Sequence, residues 1–282
     1  MPTSMFRATF WGVRGSIASP GPRTVRIGGN TSCVEVRAGS ELVILDGGTG
    51  LRLLGEKLLR ETPVRAAMFF SHVHWDHIQG FPFFAPAFVK GNSFCLYGAR
   101  NVTQTLEETL KGQMNGPTFP VTIADMAATM TFHDLAEGEV VKLGDGATVR
   151  GTSLKHPGGV FAYRIDHDGR SLVYATDNEH DEEPSAKLID LARGADVLVY
   201  DAQYTPEEYL GQTGAGSRVG WGHSTMMEGA KIAKLAGVRR LVLFHHDPNQ
   251  DDEAVDRKTA RAKEAFPATQ AAYEGLTIDV DA

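Results

Sequence analysis

Cysteine is almost absent from this chain. Only Cys33 and Cys95 occur in 282 residues, far apart and with no CxxC spacing. That excludes a disulfide framework and a cysteine-built zinc knuckle. Long hydrophobic runs are missing too. No stretch approaches the ~18 apolar residues of a spanning helix, and Met1–Ser16 has no apolar core of an export signal. The expectation is a soluble, cytoplasmic protein with no membrane partner. Positive charge is in short supply: 28 Lys and Arg stand against 35 Asp and Glu, a net charge of −7. A dedicated DNA-binding surface needs a basic face, so that class is disfavoured. Repeats and low-complexity segments are also lacking. The 42% apolar fraction excludes large-scale disorder, and a core of this size needs no disulfide staples.

What the chain has instead is ten histidines. Their positions follow the pattern of secondary structure. Phe6–Trp11, Cys33–Arg37, Leu42–Leu45, Ala66–Phe70 and Ser93–Tyr97 read as strands. Leu51–Arg60 reads as a helix with Leu51, Leu54 and Leu58 on one face, and a second helix is expected at about Val102–Lys111. From Thr129 to Thr176 the text is β-rich, with strands at Thr148–Leu154, Phe161–Ile165 and Leu172–Ala175. Asp168-Gly169 marks a hairpin between the last two. Helices are expected at Pro184–Ala192, Met226–Ala236 and Asp252–Phe266, and strands at Val197–Tyr200 and Leu241–Phe244. Thr225 and Glu228 fit a capping box. Val255, Thr259, Ala262 and Phe266 turn one helix face to a core. No linker divides the chain, so residues 1–282 are expected to form one domain. The pattern implies two sheets packed face to face with helices outside.

His72-x-His74-x-Asp76-His77 is the strongest feature. It follows a buried strand directly, so it lies on a loop at that strand's C-terminal end. Imidazole and carboxylate are ligands for zinc or a similar ion. Four such groups in six positions suit two metal ions better than one closed tetrahedral site. His156, Asp177 and His245 each follow a strand as well. All these candidates therefore gather at strand C-termini, on one rim of a layered fold.

The set His72, His74, Asp76, His77, His156, Asp177 and His245, in that order, resembles the ligand set of the metallo-β-lactamase-fold superfamily. The resemblance implies an α+β fold, a four-layer αβ/βα sandwich with metals at one edge of the two sheets. Within it the chain is similar to the ribonuclease Z and phosphodiesterase branch. His156-Pro157-Gly158-Gly159, Gly222-His223-Ser224-Thr225, Leu243-Phe244-His245-His246 and Tyr200-Asp201-Ala202 carry that similarity. Trp11-Gly12-Val13-Arg14-Gly15-Ser16, Gly28-Gly29-Asn30-Thr31 and Thr176-Asp177-Asn178-Glu179 point to a small bacterial subgroup. The resemblance implies one ion on His72, His74 and His156, another on Asp76, His77 and His245, and Asp177 bridging. His246 competes with His245 for its place, and alignment to the family favours His245. His223 is implied as a non-ligand catalytic histidine, with Asp76 counted beside it as catalytic. Asp46 is either a carboxylate orienting a ligand imidazole or a plain turn residue. The ions implied are two divalent metals, Zn²⁺ first, with Mn²⁺ or Fe²⁺ as alternatives.

The departures narrow the function. The long flexible arm with which ribonuclease Z holds transfer RNA is not apparent, since no loop is both long enough and rich in Gly and basic residues, and Asp177 replaces the cysteine ligand of true zinc β-lactamases. The resemblance thus implies a metal-dependent hydrolase, a phosphodiesterase acting on a small or cyclic nucleotide or short oligonucleotide. Two ions ~3.5–4 Å apart would share an attacking hydroxide, and His223 would protonate the leaving alkoxide. A thioester or lactone hydrolase and a non-catalytic metal-binding sensor are the alternatives. The expected partner is a small phosphodiester, and a homodimer is the commonest oligomer. Arg14, Asn30 and Thr31 read as loop hydrogen-bonders more than phosphate contacts. Trp75, Phe81, Phe83 and Phe84 are either core or a wall that stacks a base.

Overall fold

A computed structural model describes residues 5–99, 104–144 and 146–280. The first half runs β1 (Phe6–Gly12), β2 (Cys33–Ala38), β3 (Glu41–Leu45), α1 (Gly50–Leu58), β4 (Arg65–Phe70), α2 (Trp75–Ile78), β5 (Ser93–Ala99), α3 (Leu106–Gln113) and β6 (Thr129–Leu135). The second half runs β7 (Val140–Lys142), β8 (Thr148–Leu154), β9 (Val160–His167), β10 (Arg170–Ala175), α4 (Ala186–Ala192), β11 (Val197–Asp201), α5 (Pro206–Tyr209), α6 (Met226–Ala236), β12 (Arg240–Phe244), α7 (Asp252–Ala265), β13 (Thr269–Ala271) and β14 (Thr277–Asp279). Val102 and Thr103, where a helix was expected to begin, lie outside the described residues. The helix there starts at Leu106, where Thr105 and Glu108 form a capping box.

Two seven-stranded sheets result among the described residues, ordered β14-β1-β2-β3-β4-β5-β6 and β13-β12-β11-β10-β9-β8-β7. Strands β3 to β6 pair parallel, as do β10 to β13. Alternation along each strand decides which layer it feeds. Val197 and Val199 enter the core between the sheets with Phe10, Phe69 and Tyr174. Leu198 and Tyr200 face the other way, against Leu188 and Leu191 of α4 and Met226 and Ala230 of α6. On the first sheet, Met68 and Phe70 meet Leu51, Leu54 and Leu58 of α1. The layers are therefore helix, sheet, sheet, helix, the α+β sandwich expected. Phe81 and Phe84 belong to the core between α1 and the first sheet, so they are packing residues and not a pocket wall.

The Asp168-Gly169 turn is as expected: both residues have positive φ, 50° and 73°, and β9 and β10 pair antiparallel. Among the described residues no helix is long and apolar enough to cross a membrane.

Candidate metal centre

The C-terminal ends of β3, β4, β10, β11 and β12 deliver Asp46, the His72–His77 segment, Asp177, Asp201 and His245 to one rim. Three of these residues, Asp46, Asp177 and His245, have positive φ of 60°, 50° and 58°. Such backbone is unfavourable for residues other than glycine. The chain turns sharply where each strand ends and so aims the side chain across the rim. His156 joins them from the loop between β8 and β9.

Among the described residues four overlapping groups of ligand-type atoms form, two of which include His223 (with His156 and Asp177, and with Asp201 and His245); the other two match the expected ligand sets. In one, His72, His74 and His156 converge; in the other, Asp76, His77, Asp177 and His245 do, each set within 4.8 Å. Asp177 reaches both. Its Oδ1 lies 3.2 Å from the Nε2 atoms of His77 and His245. Its Oδ2 lies 3.6 Å from His72 Nε2 and 3.8 Å from His156 Nε2.

The outer nitrogens of the imidazoles are held by fixed acceptors. His77 Nδ1 donates to Asp46 Oδ2 at 2.8 Å, His245 Nδ1 to Gln203 Oε1 at 2.9 Å, and His156 Nδ1 to the Gly222 carbonyl at 2.7 Å. With Nδ1 as donor, each Nε2 turns a lone pair inward. His77 and His245 then face each other Nε2 to Nε2 at 3.3 Å, and His156 Nε2 faces His74 Nδ1 at 3.0 Å. In the neutral His77–His245 pair the opposed lone pairs repel unless a cation lies between them. His72 Nε2 is buried with no hydrogen-bond partner, which a metal would also relieve. The donor set fits divalent ions.

Electrostatics favours neutral ligands at three of the imidazoles, and at His77 the surrounding carboxylates would hold a positive charge, a proton's or a metal's. Burial lowers the pKa of His72, His74 and His156, keeping them neutral as ligands must be. Burial also opposes charge on His77, but Asp177, Asp76 and Asp46 outweigh it and raise that pKa well above the usual value. Burial pushes Asp76 and Asp177 up, yet the imidazoles around them hold both well below the carboxylate range.

His223 stands beside this cluster on the loop entering α6. Its Nδ1 donates to Asp201 Oδ2 at 3.1 Å. Burial disfavours its charge, but Asp201 reverses the effect and lifts the pKa to about 9. A cleft of about 430 Å³ opens between Ser16, His74, Trp75, Asp76, Asp177 and His223.

The open sequence questions resolve in the geometry. His246 turns away from the cluster: its Nε2 meets the Ala272 carbonyl at 3.0 Å. Asp46 accepts from the Ser71 backbone and hydroxyl, from His77 and from the Tyr174 hydroxyl, so it orients an imidazole as well as turning the chain. Arg14 is fully buried and bonds the carbonyls of Gly28, Asp247 and Gln250. Asn30 bonds Glu274, and Thr31 bonds Thr49. All three tie loops together.

Sequence reasoning missed Gln203, the acceptor for His245, and gave Glu179 no role beyond its place in the Thr176-Asp177-Asn178-Glu179 motif. The buried Glu179 carboxylate accepts from Tyr209 hydroxyl at 2.8 Å and from the backbone of Gly220 at 2.5 Å and Gly222 at 3.1 Å. Its place two positions after Asp177 was the one available signal.

This fold and site define a class. Residues 42–246 match the model of the beta-lactamase superfamily domain, and the chain belongs to that superfamily, as a hydrolase of the metallo-β-lactamase fold whose members use divalent metal. Curated relatives include a ribonuclease Z of Brevibacillus brevis, 36% identical over 153 residues, covering 53% of this chain and 42% of that one. A ribonuclease Z of Myxococcus xanthus is 26% identical across 98% of both chains. Among solved structures, the metallo-beta-lactamase fold protein YhfI from Bacillus subtilis superposes with a TM-score of 0.72 at 20% identity, over 98% of this chain and all of that one. A diphosphatase from the PhnP family gives 0.69 at 21% identity over 98% of each chain. These two establish likeness of fold.

Proposed function

We propose that this chain is a phosphodiesterase with two divalent ions, Zn²⁺ first among them. His72, His74 and His156 would hold one ion, Asp76, His77 and His245 the other, and Asp177 would touch both. The observation that carries this reading is Asp177, whose two oxygens face two separate sets of imidazole nitrogens. When bound, divalent ions supply Lewis acidity and lower the pKa of water from 15.7 to about 7. The residues of the chain do the rest. Ser16 N donates to Asp76 Oδ2 at 2.7 Å and fixes that carboxylate. Asp201 accepts from His223 Nδ1 and favours its protonated form, from which Nε2–H would donate to the oxygen of a leaving alkoxide. A positioned acid of this kind contributes about 10²–10⁴-fold. The curated relatives named ribonuclease Z support phosphodiester chemistry. The substrate proposed is a small or cyclic nucleotide or short oligonucleotide, and the whole chain acts as one domain because both halves build the core between the sheets.

The test compares bis-p-nitrophenyl phosphate with a thioester and a lactone, with and without Zn²⁺ or Mn²⁺. Metal-dependent turnover of the diester is expected. His72→Ala and Asp177→Ala should lose turnover and bound metal together. His223→Ala should keep its metal and lose about 10²–10⁴-fold in turnover of a diester with a poor leaving group. Preference for thioester or lactone would overturn the reading.

A further inference from the structure

The chain has three tryptophans, and the fold uses two. Trp11 donates from Nε1 to Glu35 at 3.0 Å and carries Lys57 over its ring. Trp221 carries the Arg218 guanidinium over its ring at 4.4 Å. Trp75 has no such role. It is 79% exposed, and among the described residues its ring stacks on nothing and its Nε1 meets no acceptor. Its position is not free to drift, since it sits between His74 and Asp76 in the first turn of α2. Its side chain lines the cleft shared by Asp177 and His223.

A large aromatic left in water forgoes its burial. What sets this ring apart from other exposed apolar residues is its place, on the wall of the cleft that also holds His74, Asp76, Asp177 and His223. The chemistry of the neighbours says which ligand. On the phosphodiesterase reading a phosphate would sit on the cleft floor, and a flat apolar ring beside a phosphate matches a nucleobase on its sugar. Stacking is tolerant of base identity because every base has a π-face. We propose that Trp75 is the base-stacking platform of the cleft, so that the substrate is a diester carrying a nucleobase beside the scissile phosphate. This rests on the phosphodiesterase reading above.

The experiment uses two diesters with one leaving group: the p-nitrophenyl ester of thymidine 5′-phosphate and methyl p-nitrophenyl phosphate. Trp75→Ala should lower the preference for the thymidine ester, measured as the ratio of kcat/KM values, by about 5- to 150-fold. The loss should fall mainly in KM, and Trp75→Phe should restore most of it. Titration with AMP should quench the indole emission of the wild type and leave that of Trp75→Phe unchanged. An unchanged ratio in Trp75→Ala would overturn the proposal. So would a Trp75→Ala variant that converts a dimer to monomers on gel filtration, which would give the ring to a second copy of the chain. If neither ester is hydrolysed with Zn²⁺ or Mn²⁺, the phosphodiesterase reading fails, and the AMP quench still decides whether a base binds. A short RNA separates the two sources of a base. Equal loss on RNA and on the thymidine ester assigns a single stacked nucleotide. No loss on the thymidine ester with loss on RNA overturns the assignment to the base beside the phosphate.

Discussion

Lys258 shows how far one residue can depart from its pattern. It lies on the face of α7 that also carries Val255, Thr259 and Ala262, all buried. Its Nζ donates to the Ala202 carbonyl and to Gln250 Oε1, both at 2.6 Å. Burial pulls its pKa down from 10.5 to about 7; Glu208, Asp247 and Asp201 oppose that and Arg14 adds to it. The unfolded chain therefore binds more protons than the folded one between pH 7 and 10.5, and stability should rise with pH across that window. The rise is on the order of 5 kcal/mol at most. Lys258→Met should flatten it, as urea melts at pH 7 and 9 would read; a slope equal to wild type would count against the buried amine. Charge patterning hid this residue, because a lysine on a helix is ordinarily on the solvated side. The same scale explains what else could not be read. His72, His74 and His77 were legible because they cluster in sequence. The choice between His245 and His246 was not settled by alternation, because the positive φ of His245 interrupts it.

At the scale of elements, punctuation decided what was legible. Helix α6 matches its expected bounds because Thr225 caps its start and Gly237, at φ 66°, ends it. Thr225 accepts from the Glu228 backbone as half of the expected capping box. Strands β7, β13 and β14 have three residues each; the sequence pattern suggests only one short strand at the end of the chain, and pairing with partners creates the others. The segment from α5 to α6 is the clearest element without periodicity. Gly211, Gly214, Gly216, Gly220 and Gly222 all have positive φ, and Glu179 clasps the far end. At Gly222 no side chain fits, since a Cβ would lie 2.3 Å from His156 Nδ1. This one segment thus orients His156 through its carbonyl and carries His223 next in line. Glu179→Ala leaves three donors without their acceptor. The expected result is a 10- to 100-fold loss of kcat, about what a misplacement near 1 Å costs, with faster hydrogen exchange over residues 210–222. Glu179→Gln should recover part of it, since the amide oxygen still accepts. Wild-type kcat and exchange in Glu179→Ala would show that the clasp is dispensable.

At the scale of the whole molecule, the layered fold places parallel strand ends from both sheets on one rim, where α/β architectures collect their ligand-binding loops. The chain's −7 charge sets a second constraint. A polyanion gripped along a basic face would release many counterions, and its binding would weaken steeply with salt. Here the attraction for phosphate would come from metal ions at one point, with the rest of the surface acidic on balance. A substrate engaging one phosphate should therefore show a log–log salt slope of about 1 at most in KM, against about 5–7 for a protein neutralising 7–10 phosphates of a single strand. The measurement is KM for the thymidine ester and for a short RNA between 50 and 200 mM KCl (on the order of a two-fold change in Debye length). Slopes near 1 for both would tie recognition to the metal rim. A slope beyond about 4 for RNA would mean that a basic track exists on the surface after all, and that a longer nucleic acid is the better substrate.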